Sequence, residues 1–370
     1  MRLTAALIVR DESRFIEGCL ESLVGRVDEI VLVDTGSRDD TIAKALQFPI
    51  KLYQFDWCDD FSAARNFALE QATGNWILYI DADERFAIPQ REMLGRVLGD
   101  DSKVAWRLRL HPRIDWTAYA ELRLFRNDPR IRFRGAIHER VHDSVDVVVR
   151  SDNMEIGDCE LVLQHVGYED DQARKNPRNI PLLRARLAGD PKHLYSWWHL
   201  GQCLQLAGDA EGAVAAWSNG IAVARQVPAT ARDISAAQCI ESLLKLQIGR
   251  GIDVTGLLRE ARALYPNHLS LQWIEATWAL ECGDNESARA PLEMLAAIDP
   301  EQFFDPRVAY HKAIFRHLAK EALALCWFRQ GCFDKAARLY HLAAQHSPDR
   351  QGCEVKARLA ELRGRNVQPS

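Results

Sequence analysis

Residues 76–84 read WILYIDADE. The run 76–80 is almost wholly apolar, the pattern of a parallel strand buried on both faces. It stops at Asp81-Ala82-Asp83-Glu84. In an open α/β sheet the carboxyl ends of the strands form the ligand-binding edge. Two carboxylates there, one small residue apart, suit a divalent cation that carries phosphate. Such hard cations are held by one or two carboxylates plus phosphate oxygens. A D-x-D string alone is a common acidic turn, so its weight comes from its place after a buried strand.

Upstream of this stretch, strand and helix alternate. Residues 3–9, 29–33 and 50–55 read as strands. Between them lie helical patterns: one opened by Ser13 and carrying Phe15, Ile16, Leu20 and Leu23, one from Asp40-Thr41 through Leu46, and one over 63–72. Ser62 or Asp60 is the expected cap of the third, and Gly74 closes it. Such alternation predicts βαβ units and a mostly parallel sheet. From 103 to 165 the spacing changes to period two. Trp106, Leu108 and Leu110 alternate with arginines and a histidine, and Ile131 and Phe133 alternate with Arg132 and Arg134. This predicts half-buried strands without long helices. The arginines from 107 to 134 are expected mainly on the wet face.

Beyond about residue 170 the pattern is helical and repetitive. Trp197, Leu200, Gly201, Leu204, Gly208-Asp209, Ala213 and Trp217 form one unit. Similar small-and-large spacing recurs around Gly283-Asp284 and Gly331. Pro266 and Pro300 stand 34 positions apart, the period of tetratricopeptide helix pairs. The array is degenerate, with an insertion around 303–311. The tail tryptophans are expected in the repeat core. The expected fold is an α/β domain over 1–170 and an all-α repeat domain over 171–370.

The totals narrow the function classes. The 370 residues allow two or three domains, and 27% charged with 47% hydrophobic residues is an ordinary globular composition. A net charge of −5 argues against a general nucleic-acid binder. Nine cysteines, an odd number without a C-x-x-C pair, fit a reduced, cytoplasmic chain, peripheral association with the inner face of a membrane being compatible. No apolar run reaches the length of a membrane span, and 3–9 reads as a core strand and not as a signal peptide.

Three acidic strand ends converge by topology: Asp11-Glu12, Asp34, and Asp81 with Asp83. No G-x-G-x-x-G or Walker loop accompanies them. The strings DEIVLVDTGSRDDT and FDWCDDFSAARNFALEQATGNWILYIDADE resemble the nucleotide-binding half of family-2 glycosyltransferases with the GT-A fold, over about residues 3–168. The chain is most similar to bacterial members with a tetratricopeptide-like tail, a subgroup that includes peptide glycosyltransferases. The resemblance implies a hexosyl transfer from a nucleotide-sugar donor, most simply a UDP-sugar, with a divalent cation (Mn²⁺ or Mg²⁺) and inversion at the sugar. It implies that Asp11, Asp34, Arg65, Asn66 and Asp81 bind the donor. Asp83 and His165 (in QHVGY) hold the metal, and Glu139 (in GAIHERV) is the acceptor-side base. It also implies a peptide, protein or cell-envelope glycan acceptor, met with help from the helical repeats or within a homodimer.

Each residue also has a plain structural reading. Asp34 could open a turn, Asp60 a helix, and Arg65 could be a solvated helix charge. His165 could be an ordinary strand-end histidine, and Glu139 part of a surface salt bridge with His138 or Arg140. At the level of function, the alternative is a repeat scaffold whose front domain no longer catalyses. A nucleotidyltransferase is less favoured, since that class opens with a Gly-rich basic loop and this chain has Arg10-Asp11-Glu12-Ser13.

Overall fold

The computed structural model describes residues 1–90, 92–167, 172–227 and 233–367. It divides into two compact units. The first comprises Met1–Ile114, Ala118–Ala213 and Asp305–Val308, and the second Asp115–Thr117, Val214–Phe304 and Ala309–Ser370.

The first unit is built on one eight-stranded sheet. Its elements run β1 (Leu3–Val9), α1 (Ile16–Leu23), β2 (Glu29–Asp34), α2 (Thr41–Ala45), β3 (Lys51–Gln54), α3 (Phe61–Gln71), β4 (Trp76–Tyr79), β5 (Glu84–Ala87), α4 (Met93–Gly99), β6 (Lys103–His111), β7 (Tyr119–Arg126), α5 (His142–Asp152), β8 (Glu155–His165), α6 (Gln172–Gly189) and α7 (Leu194–Leu206). The strand order is β3-β2-β1-β4-β7-β6-β8-β5. The first four strands are mutually parallel. β7 runs antiparallel to β4 and β6, and β8 is parallel to β6 and antiparallel to β5. The α/β class read from the sequence is present.

The apolar runs are explained by two cores, one on each face. Trp76 and Leu78 of β4 join Leu3, Leu7, Ile16 and Leu20. Ile77 and Tyr79 join Val31, Val33, Leu69 and Val145. Each Leu or Ile fully buried in this way contributes roughly 1.5–3 kcal/mol. Both faces are covered, so the strands lose the polar alternation of an exposed sheet.

Two local expectations change, and one of two alternatives for a cap is selected. Ser13 makes no cap, because α1 starts at Ile16 after Phe15. The cap of α3 is Asp60, whose Oδ1 accepts from Ala63 N at 3.1 Å, and Ser62 lies inside the helix. Residues 131–133 form no strand. The Asn66 amide binds Phe133 on both sides, accepting from its N at 2.8 Å and donating to its O at 3.0 Å, so a helix side chain takes the place of a neighbouring strand. α5 was not expected either: its valines look β-forming, but Val145 and Val148 meet the core at helical spacing.

The second unit is helical: the greater part of α8 (Ala210–Arg225), α9 (Ser235–Gly249), α10 (Thr255–Leu264), α11 (Leu269–Glu281), α12 (Asn285–Ala297), a π-turn over Ile314–Leu318, α13 (Ala319–Arg329), α14 (Phe333–Ala344) and α15 (Arg350–Val367). Helix stops repeat. Gly283 and Gly331 take φ of 82° and 77°, and the next residues, Asp284 and Cys332, return their N–H groups to Ala279 O and Trp327 O. Only glycine takes such a left-handed stop without strain. Alanines 324, 336, 337, 357 and 360 pack around Tyr340 and let the helices approach closely. Of the tail tryptophans Trp217 is fully buried, while Trp197, Trp198, Trp273, Trp278 and Trp327 are half-buried. All nine cysteines are free thiols, and among the described residues no helix is long and apolar enough to cross a membrane.

One buried carboxylate pins β2 to its neighbours. Glu29 accepts from the Thr4 hydroxyl, from Lys51 Nζ at 2.6 Å, and from Thr73 N at 2.8 Å and Oγ1 at 2.9 Å. Burial acts to raise its pKa, but these donors hold it at about 2 against 4.5. A depressed folded-state pKa adds stability that is complete above about pH 4.5 and fades as pH falls toward 2. Glu29→Gln is therefore expected to lose roughly 1–3 kcal/mol at pH 7, with the gap to the parent closing as the pH approaches 2. Urea titrations across that range measure it.

Candidate active site

Parallel pairing sets the ends of β1, β2 and β4 along one edge. Val9 lies beside Asp34, and Ala6 beside Tyr79. The chain leaves β1 through Asp11, in the left-handed region at φ 55°. Asp11 Oδ1 accepts from Arg38 N at 2.7 Å, and its own N donates to Ser37 Oγ at 3.1 Å. Asp34 is buried and accepts from Ser37 N at 3.0 Å and Gly36 N at 3.3 Å. It is therefore committed to its own turn.

After β4, Glu84 N bonds Asp81 O at 3.0 Å and closes a tight turn around Asp81-Ala82-Asp83. β5 then pairs with β8, with Glu84 opposite His165, and Val166 N bonds Asp83 O at 2.8 Å. This pairing carries His165 to the D-x-D turn. Its Nε2 lies 3.0 Å from Asp83 Oδ2, and its Nδ1 lies 3.2 Å from Pro112 O. A carbonyl only accepts, so Nδ1 carries a proton, and Nε2 bonds Asp83 only when the ring is an imidazolium. Burial lowers the His165 pKa, but Asp83 outweighs it and raises the value. Gly167 permits the approach: a Cβ there would lie 2.7 Å from Asp83 Cβ.

A chain of alternating charges crosses the floor. Arg65, on α3, donates through Nε to Glu139 at 2.5 Å and through Nη2 to Asp81 at 2.7 Å. Arg123, on β7, lies 3.8 Å from Asp81 and grips Glu84 with two bonds of 2.9 and 3.0 Å. The Tyr79 ring sits between the guanidiniums, 5.2 Å from Arg65 and 4.6 Å from Arg123. Burial alone would make Arg65 less basic, but Asp81 and Glu139 reverse that. Burial would likewise raise Asp81, yet the two arginines hold it well below the usual carboxylate range. At Glu84 burial wins and lifts the pKa to about 7, opposed by Arg123 and assisted by Asp81.

The Glu139–Arg65–Asp81 end of this chain faces a cleft of about 470 Å³, the size of a small-molecule site, while Arg123 and Glu84 lie behind Asp81. Asp11, Arg65, Asp81, Asp83, Glu139 and His165 all line it. The fold does not bring Asp34 and Asn66 there: Asp34 holds its turn and Asn66 holds Phe133. Sequence reasoning did not single out Arg123 among the arginines of 107–134, most of which it expected on the wet face. Arg107 and Arg109 do lie there, paired with Asp158 and Glu160. Arg123 shares its face of β7 with Phe125, a core residue, and that parity was the available signal. Trp57, Arg178, Asn179 and His199 also line the cleft and carried no motif.

Removing one partner of a buried ion pair leaves the other charge uncompensated, at roughly 3–5 kcal/mol. Arg123→Met is expected to cost that much, and Arg123→Met with Glu84→Gln less than the two single losses added. Chemical denaturation of the three variants checks it.

Residues 4–151 match the glycosyl transferase family 2 model. A TPR repeat-containing protein of Synechococcus elongatus is 37% identical over 235 residues, 62% of this chain and 58% of its own. The SPbeta prophage-derived glycosyltransferase SunS of Bacillus subtilis is 28% identical over 226 residues, 57% of this chain and 51% of its own. The lipopolysaccharide core biosynthesis glycosyltransferase LpsC of Rhizobium meliloti is 33% identical over 154 residues, 39% of this chain and 56% of its own. The chain thus spans little more than half the length of the relatives it matches. Residues 4–151 are thus similar to glycosyl transferase family 2, and a helical region follows them in the chain.

Proposed function

We propose that the chain moves a sugar from a nucleotide diphosphate sugar, most simply a UDP-sugar, to an acceptor nucleophile in this cleft, by one inverting displacement. The observation that carries the reading is the Arg65 guanidinium held between Asp81 and Glu139. It sets a carboxylate opposite the strand-end carboxylates, with a fixed positive charge between them. Glu139 takes the proton of the attacking hydroxyl or thiol. Arg65 counters the negative charge that grows on the leaving diphosphate, and Arg123 supports it from behind Asp81. Asp11 and Asp81 orient the donor, and Asp34 acts through the Gly36-Ser37 turn that it holds.

A divalent cation fits Asp83 and His165. Asp83 Oδ2 and His165 Nε2 lie 3.0 Å apart at the cleft, and an oxygen and an imidazole nitrogen there would hold such an ion together. The proton that joins these two atoms marks a place where positive charge is needed. Among the described residues no group of three such side chains converges, so phosphate and water would complete the shell. When bound, the cation adds charge stabilisation for the diphosphate.

The helical region after residue 170 is proposed to present the acceptor, and the family setting favours a cytoplasmic enzyme. Helical repeats favour a peptide or protein acceptor, and the likeness to a lipopolysaccharide core enzyme favours a cell-envelope glycan. Transfer assays with both acceptor classes separate them.

The direct test is a thermal-shift screen with UDP-, GDP-, CDP- and dTDP-sugars, each with and without Mn²⁺ or Mg²⁺. A cation-dependent shift with one nucleotide supports the reading, and no shift with any of them favours a scaffold without catalysis. Asp83→Ala is expected to lower turnover by roughly 10²–10³-fold while the fold is retained by circular dichroism. Glu139→Gln is expected to lower kcat by roughly 10²–10⁴-fold with little change in donor KM. Equal losses in both constants would remove the base role.

A further inference from the structure

Glu139 stands on a loop whose preceding residue is strained. His138 has φ 55°, a left-handed conformation uncommon for any residue but glycine. Such a conformation persists only where its surroundings over-determine it. Several contacts do so here. Arg134 and Arg140 exchange backbone hydrogen bonds of 3.0 and 3.1 Å across the base of the loop. Phe61 N, at the start of α3, bonds Ala136 O at 2.9 Å. Arg186, on α6, reaches Ile137 O at 3.2 Å.

The contact on the strained residue itself comes from α7. His138 Nε2 lies 2.9 Å from His199 Nδ1, and the Tyr195 ring meets the His138 ring edge-on at 4.5 Å. Two imidazoles share one hydrogen bond only if one donates and the other accepts, so at least one ring is neutral. Burial keeps both basicities low, that of His199 at about 4. The pair is therefore a stable neutral bond near neutral pH, and it joins α7 to the residue next to the candidate base.

We propose that His138 and His199 are positioning residues: their ring-to-ring hydrogen bond locks the left-handed turn at His138 and thereby aims Glu139 at Arg65 and the cleft. The proposal rests on Glu139 being the base. α7 is then part of the catalytic geometry through a contact at the wall of the cleft, which His138 and His199 both line. The lock acts on kcat, because it sets the direction of a proton acceptor and leaves the donor contacts at Asp11 and Asp81 in place.

The test compares His199→Ala and His199→Gln with the parent in the full chain. His199→Ala is expected to lower kcat about tenfold or more, with donor KM within about twofold of the parent. His199→Gln keeps a side-chain hydrogen-bonding group and is expected to restore most of the loss. In a Glu139→Gln background, His199→Ala is expected to have almost no further effect on kcat, since the two act through one group. An unchanged kcat in His199→Ala, a loss confined to KM, or full additivity with Glu139→Gln overturns the proposal.

Hydrogen exchange of amides 136–140 reads the lock without any activity. Faster exchange there in His199→Ala, with the β1 and β4 amides unchanged, supports the hold on the loop. Unchanged exchange overturns it. If the parent transfers no sugar while exchange responds as expected, the glycosyltransferase reading fails and the lock stands. That outcome separates the two claims.

Discussion

The arrangement depends on one buried guanidinium. Arg65 is almost inaccessible to water, and a charge in that position persists only with counter-charges in contact. Asp81 and Glu139 are those counter-charges. They come from the end of β4 and from the loop before α5, and Arg65 comes from the first turns of α3. Three separate segments must therefore meet at one point. The same requirement continues outward: Asp81 needs Arg123 as well, and Arg123 needs Glu84. The resulting order of charges leaves no two like charges adjacent along the chain of contacts.

Rigidity and strain are divided between different parts of the first unit. The sheet is held by two apolar cores and by the Glu29 knot, which ties β2 to Thr4, Lys51 and Thr73. Of the four left-handed residues other than glycine, Asp11, Asp59 and His138 lie in loops on the side of the cleft, and Asn153 ends α5. Strained backbone gathers where geometry serves a ligand, and a well-packed scaffold supplies the stability that holds it. The helical unit follows a simpler rule, with short helices, glycine stops and alanine-rich contacts repeated along the chain.

Much of the sheet was legible because β1, β2 and β4 are buried on both faces and read as apolar runs. The D-x-D turn was legible because it breaks such a run. Arg65 and His165 stood out through motifs. Arg123 did not, because it is one of many arginines between residues 107 and 134 and only its parity with Phe125 betrays its burial. The segment 131–133 looked like a strand because its apolar residues do enter the core, but Asn66 takes its backbone bonds. α5 looked β-like because its valines favour strands, and tertiary packing overrode that preference.

The sequence alone determined the α/β domain, the helical repeats and the set of acidic strand ends, since these follow from periodicity and from residue type. The tertiary structure decided which of those groups share a cleft. The pairing of β5 with β8 brings His165 to Asp83. The turn after β2 keeps Asp34 for itself. The loop locked by His199 carries Glu139 to Arg65. The Asp34 turn is local, whereas the His165–Asp83, Glu139–Arg65 and His199–His138 contacts join residues far apart in the chain. Their distance is fixed by strand register and loop geometry, and local sequence patterns carry neither.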